Sequence, residues 1–107
     1  MMELYLKIEK IDVCATELYY PEEKRFIVKK GAKVSEKISD APTFRGAKSI
    51  MKARDGVVVD RITNLDVEFK SPSTAGNFIT GRSTDGMKVW KSKEGICLKQ
   101  LLSENPK

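Results

Sequence analysis

Residues Glu3 to Glu9 alternate strictly: Leu4, Leu6 and Ile8 fall on one side, Glu3, Tyr5, Lys7 and Glu9 on the other. A period of two marks a strand with one face covered and one wet, which needs an antiparallel neighbour and an apolar layer to lie against. The chain supplies neighbours at once. Extended runs from Val13 to Tyr20 and from Arg25 to Lys30 flank Pro21-Glu22-Glu23, whose proline and charges suit a solvated turn, and Gly31 ends the second run. A hairpin or meander is expected there, followed by an exposed loop over Ala32 to Pro42, where the sequence is polar and aperiodic.

Helix signals come next. Thr43 can cap a helix from Phe44 to about Arg54, with Phe44, Ala47, Ile50 and Met51 as its apolar stripe and Gly56 as its stop. Val57 to Ile62 and Leu65 to Phe69 read as two short strands turning at Thr63-Asn64. Ser71-Pro72 reads as N-cap and first helical residue, with Ala75, Phe78 and Ile79 on one face and Gly81 as the C-terminal cap, so a helix is expected over Pro72 to Thr80. Thr84-Asp85-Gly86 should turn into a strand, Met87 to Lys91, and after Gly95 a closing helix should carry Cys97, Leu98, Leu101 and Leu102. The order β-β-β-α-β-β-α-β-α predicts an α+β fold, a single domain over 1–103 with a mainly antiparallel sheet and two to three short helices packed on one face. Residues 104–107 should fray. At 107 residues and 40% hydrophobic composition, one modest core is attainable, burying roughly 65% of the unfolded chain's surface.

The chain contains no histidine. That removes Ser-His-Asp and Cys-His catalysis, His-ligated zinc and haem, and any histidine pH switch, so the formal charge of +5 is expected to be constant from pH 6 to 8. Cys14 and Cys97 form no Cys-x-x-Cys pair, and two reduced thiols are expected. The opening Met-Met-Glu lacks a basic segment followed by an apolar one, and no apolar run approaches the ~20 residues needed to cross a bilayer, so a soluble, cytoplasmic protein is expected. No cofactor is expected. Asp60, Asp66 and Glu68 could ligate Mg²⁺ as a metal-dependent nuclease would require, but alternation of Asp66 and Glu68 with Leu65 and Val67 is equally that of an exposed sheet face.

Charge is unevenly spread. From Lys24 to Arg54 ten basic residues face only Glu36 and Asp40, a local balance of +8 that leaves the remainder at −3. Arg45, Lys48 and Lys52 fall at i, i+3 and i+7 of the expected helix, opposite its apolar stripe, with Arg25, Lys29 and Lys30 just upstream. Such a surface is either a solvated face or a seat for nucleic acid.

The stretch from Phe69 to Lys91 is more informative. Phe69-Lys70-Ser71-Pro72-Ser73-Thr74-Ala75-Gly76, then Gly81-Arg82-Ser83, then Asp85-Gly86-Met87-Lys88-Val89-Trp90, resembles the small domain of unknown function with an F-x-SPS-x-A-A segment, a glycine-arginine-serine step and N-G-W-x-x-W. That domain is related to the RAMA (restriction enzyme adenine methylase-associated) domain and accompanies GIY-YIG nuclease domains or restriction-modification proteins. Phe26 to Gly31 looks like its preceding hairpin, so the resemblance covers about Ala15 to Leu102. Gly76 stands in place of the second alanine, Asp85 of the asparagine and Met87 of the first tryptophan, while Gly31-Ala32 replaces a glycine-serine pair. The resemblance implies DNA binding, including modified DNA, beside a nuclease or methyltransferase partner.

Two motifs admit two readings each. Ser71 and Ser73 are helix-capping residues, or with Lys70 and Arg82 they seat a phosphate at a helix N-terminus. Trp90 is a core aromatic, or a stacking platform among Lys88, Lys91 and Lys93. The expected function is a non-enzymatic nucleic-acid-binding module with no membrane role. The alternative is a protein-interaction or dimerisation module pairing through the first strand, Glu3 to Glu9.

Overall fold

The alternation of the first strand is realised along β1 (Met2–Ile8), where Leu4 and Leu6 are buried and Glu3 and Lys7 exposed. The computed structural model describes residues 1–104. β1 pairs antiparallel with β2 (Val13–Tyr20), β2 with β3 (Arg25–Val28), and β3 with β6 (Val67–Phe69), giving the order β1-β2-β3-β6. One face of this sheet presents Leu4, Leu6, Val13, Ala15, Phe26 and Val28 to a helical layer; its central member, α2 (Pro72–Thr80), contributes Ala75, Phe78 and Ile79. Trp90 and Leu98 complete the core. Its outer face carries Tyr5, Thr16, Leu18 and Ile27 between charged residues. This is the α+β domain expected.

Several elements differ from expectation for physical reasons. α1 spans Ala47–Arg54 and starts at Gly46 with no side-chain cap, because 41–44 form a turn in which the Phe44 N–H donates to the Ala41 carbonyl. Thr43 therefore caps nothing. Met51, expected in the core, is exposed, and Ile50 alone is buried on α1. The expected second hairpin is split. β4 (Val58–Val59) and β5 (Ile62–Thr63) turn at Asp60-Arg61, both in the left-handed region (φ 51° and 69°), as a two-residue hairpin loop of the primed type requires. Thr63 is not in a turn, since its N–H and C=O bond to Ala32 and Gly31. β6 leaves this hairpin and joins β3.

The expected strand Met87–Lys91 is instead a short helix, α3 (Gly86–Val89), because the Asp85 carboxylate caps the Met87 N–H at 3.1 Å. Lys91 alone is strand-like: it exchanges both backbone hydrogen bonds with Tyr5 of β1, at 2.7 and 2.9 Å. The edge expected to be free for a partner strand is thus closed at its centre. α4 runs over Leu98–Glu104, so Glu104 is helical, and the rest of the expected frayed tail, 105–107, lies outside the described residues. Both cysteines are free thiols, and among the described residues no helix is long and apolar enough to cross a membrane.

Candidate nucleic-acid interface

α2 begins as the sequence dictates. Ser71 is extended, its Oγ accepts from the Thr74 N–H at 3.1 Å, Pro72 occupies the first turn, and Gly81 (φ 72°) closes the other end. What lies on this N-terminus is protein. The Gly86 N–H donates to Ser73 Oγ at 3.0 Å, and the Trp90 Nε1–H donates to the Pro72 carbonyl at 3.0 Å. A Cβ on Gly86 would collide with the Pro72 carbonyl group and the Ser73 nitrogen, so only glycine lets α3 come this close. The serine-proline-serine segment, the glycine and the tryptophan of the hallmark form one internal latch. Gly76, where an alanine is usual, is explained likewise: a Cβ there would overlap the Thr84 hydroxyl, which donates to Asn77 Oδ1.

This corrects two site assignments. Trp90 is 0% exposed, so it offers no stacking surface. Ser71 and Ser73 spend their hydroxyls on Thr74 and Gly86, and Gly86 covers the amide that would have seated a phosphate. Lys70, just ahead of α2, is exposed but has no seat to complete.

Charge gathers elsewhere. A cleft beside Gly81 is lined by Lys10, Lys37, Arg61 and Arg82. Arg82 also lines a second depression with Lys7, Lys88, Lys91 and Lys93. Tyr5 and Lys7 continue from it round the β1 edge into a third, with Lys29 and Lys30. Linked through Arg82 and through Tyr5 and Lys7, the three depressions, together called the trough, are lined, among the described residues, by ten of the chain's 20 Lys and Arg but only three of its 15 Asp and Glu, namely Asp12, Glu36 and Asp85. The trough carries +7 and the remainder of the chain −2. Nine of the ten cations make no side-chain hydrogen bond or ion pair among the described residues. The exception, Arg61, donates to the carbonyls of Val34 (3.0 Å), Asp12 (2.9 Å) and Ile11 (3.3 Å), fixing the cleft floor. There the Lys33 ammonium, bonded to Asp12, holds that carboxyl below its ordinary range, helped by Arg61.

Of the expected contact residues, Lys29, Lys30, Arg82 and Lys88 line the trough. Arg25 does not: it is engaged by Glu23 and Glu68 at 3.1 and 3.0 Å on the outer sheet face. Arg45 precedes α1, so the expected helical triad reduces to Lys48 and Lys52, both exposed on α1 and neither lining the trough. Arg54, counted in the basic block, is structural. Its guanidinium donates to the carbonyls of Phe78 (2.7 Å), Ser35 (3.0 Å) and Ile79 (3.4 Å), closing the C-terminal end of α2. Burial lowers its pKa to about 10, with Arg61 adding to the effect, and it remains charged at neutrality. Lys7, Lys10 and Arg61 escaped the sequence reading because they come from separate elements with no local cluster to mark them.

The three carboxylates considered for Mg²⁺ are not brought together. Asp60 sits in the β4–β5 turn, Asp66 accepts the Lys30 N–H at 2.8 Å, and Glu68 pairs with Arg25. No cluster of three potential metal ligands exists among the described residues. One carboxyl was overlooked. Glu17, on the inner face of β2, is 0% exposed with neither oxygen hydrogen-bonded, and burial pushes its pKa up to about 8. It is largely protonated at pH 7, so the folded chain carries close to +6, and the expectation of constant charge from pH 6 to 8 is corrected.

Fold and trough together define a small α+β domain with half of its Lys and Arg lining three linked depressions. The chain belongs to the family described as domain of unknown function DUF4357, whose sequence profile matches residues 4–102. No curated protein and no solved structure matches it.

Proposed function

We propose that this domain is a non-enzymatic nucleic-acid-binding module, for DNA in the first instance, acting beside a separate nuclease or methyltransferase as in restriction-modification systems. The carrying observation is the segregation of charge: half of all cations line one trough that holds a fifth of the carboxylates. Charge gathered in a concave surface focuses the field on a polyanion, and unpaired lysines give up only hydration and counterions on meeting phosphate. The partner rests on the Phe69–Lys91 resemblance, which also extends this reading to RAMA-related domains and to modified DNA.

The test is a salt titration of duplex DNA binding. Engaging about five phosphates predicts a log-log slope of about −4 to −5. Affinity that is flat with salt, or no binding at low salt, refutes the reading.

A further inference from the structure

We infer that the trough takes a nucleic-acid duplex through its phosphates and reads no base sequence; this rests on the nucleic-acid reading above and narrows it, without the extension to modified DNA. The lining chemistry decides. Reading base edges requires two-pronged groups: Arg on guanine, Asn or Gln on adenine. Among the described residues, no Asn or Gln lines the trough, and eight of its ten cations are lysines, which act as point charges without a fork. Of its two arginines, Arg61 has its fork turned into the protein by three backbone carbonyls. Arg82 alone presents a free guanidinium. One fork can mark one base pair and cannot specify a site.

The strand state follows from the aromatic rings. Proteins that hold single strands without sequence preference add ring stacking to a basic groove, each stacked base being worth a factor of about five to a hundred or more in affinity. Here the rings are elsewhere. Trp90, Phe26 and Phe78 are in the core, and Tyr19 stacks on Phe26 with centroids 4.4 Å apart. Tyr5 is the only ring lining the trough; it is half-buried, and its hydroxyl donates to Glu3 at 2.7 Å. A surface of unpaired lysines without stacking platforms gains most from the polyanion with the densest charge, and a duplex carries one charge per about 1.7 Å of axis.

The experiment compares, at one low salt concentration, anisotropy of two labelled duplexes of about 20 base pairs with unrelated sequences and of their separated strands, with the native chain, Arg82→Lys and Tyr5→Leu. The expected result is equal affinity for both duplexes within about threefold, single strands at least about tenfold weaker, Arg82→Lys without effect on the ratio between the two duplexes, and Tyr5→Leu without effect on the strand ratio. Single strands bound as tightly as duplex, or a preference above about tenfold for one duplex, overturns this inference while leaving nucleic-acid binding intact. Binding to none of the four probes overturns both. Thermal melts show whether each variant is folded, and the four-probe comparison on the native chain decides the matter without any variant.

Discussion

The indole of Trp90 donates to the carbonyl of Pro72 at 3.0 Å, reaching across 18 positions to the first turn of α2. With the Gly86 N–H on Ser73 Oγ, this bond converts a helix start into a docking point for α3. The serines therefore act on stability alone. Ser71→Ala and Ser73→Ala should each cost about 0.5 to 2 kcal/mol in denaturant unfolding, and both folded variants should bind nucleic acid as the native chain does. A loss of affinity in folded Ser73→Ala would return the phosphate seat to this helix.

Gly86→Ala should be far more damaging, because its methyl group would occupy the space of the Pro72 carbonyl and the Ser73 nitrogen, and main chain cannot step aside as a side chain can. A loss of about 3 kcal/mol or more is expected, with weakened near-UV signal from Trp90. A melting temperature within a few degrees of native would show the latch to be loose.

Glu17 makes stability depend on pH in the direction opposite to most carboxylates. Its folded pKa, about 8, lies above the ordinary 4.5, so between these values the unfolded chain has released a proton that the folded chain keeps. Stability is therefore full below about pH 4.5, as far as this group is concerned, and falls as pH rises towards 8, by on the order of 3 to 5 kcal/mol. β1, β3 and α2 offer it no counter-charge: their residues facing the core are apolar or uncharged, and among the described residues Tyr19 is the only other titratable side chain on that face. Glu17→Gln should flatten the profile, and Glu17→Leu should do so and raise stability at pH 8. A native chain equally stable at pH 5 and 8 would contradict this.

Arg54 tests the distinction between structural and surface cations. Arg54→Ala strips partners from the carbonyls of Phe78 and Ser35 and should cost about 2 to 4 kcal/mol in urea unfolding. Lys48→Ala and Lys52→Ala, exposed on the same helix, should change stability by no more than about 0.5 kcal/mol. Equal effects would refute the capping role.

What was legible in the sequence was local. Ser71, Pro72 and Gly81 determine where α2 starts and ends through bonds within a turn of one another, and they are found where the sequence places them. Alternation placed β1 and β2 correctly, and it also contained Glu17: counting by twos from Val13 through Ala15 puts that carboxyl on the covered face. The misplacements were non-local. Nothing near Val67 announces pairing with β3 some forty residues earlier, and Asp60-Arg61 turns without glycine because the Arg61 side chain is tied down by Ile11, Asp12 and Val34. The candidate interface was legible in sequence only in part, through Lys29, Lys30, Arg82 and Lys88, for the same reason. Ten basic residues adjacent in the chain from Lys24 to Arg54 are dispersed in space, while Lys7, Lys10, Arg82 and Lys93 converge.

That convergence permits a decisive pair of charge reversals. If the contact surface is the trough, Arg82→Glu with Lys88→Glu removes two phosphate partners and puts two carboxylates in their place. Duplex affinity at about 0.1 M salt should fall by at least about tenfold, and the salt slope should flatten by about two units. Lys48→Glu with Lys52→Glu makes the same change in net charge on a helix outside the trough, so it matches the long-range effect while sparing the contact. The second pair should change affinity by less than about threefold and leave the slope alone, since screening limits distant charges to about 10 Å at 0.1 M salt. Both pairs are exposed and should fold with native melting temperatures. If instead the α1 pair abolishes binding and the trough pair does not, the basic helix is the interface, and the gathering of cations around Arg82 serves something other than nucleic acid.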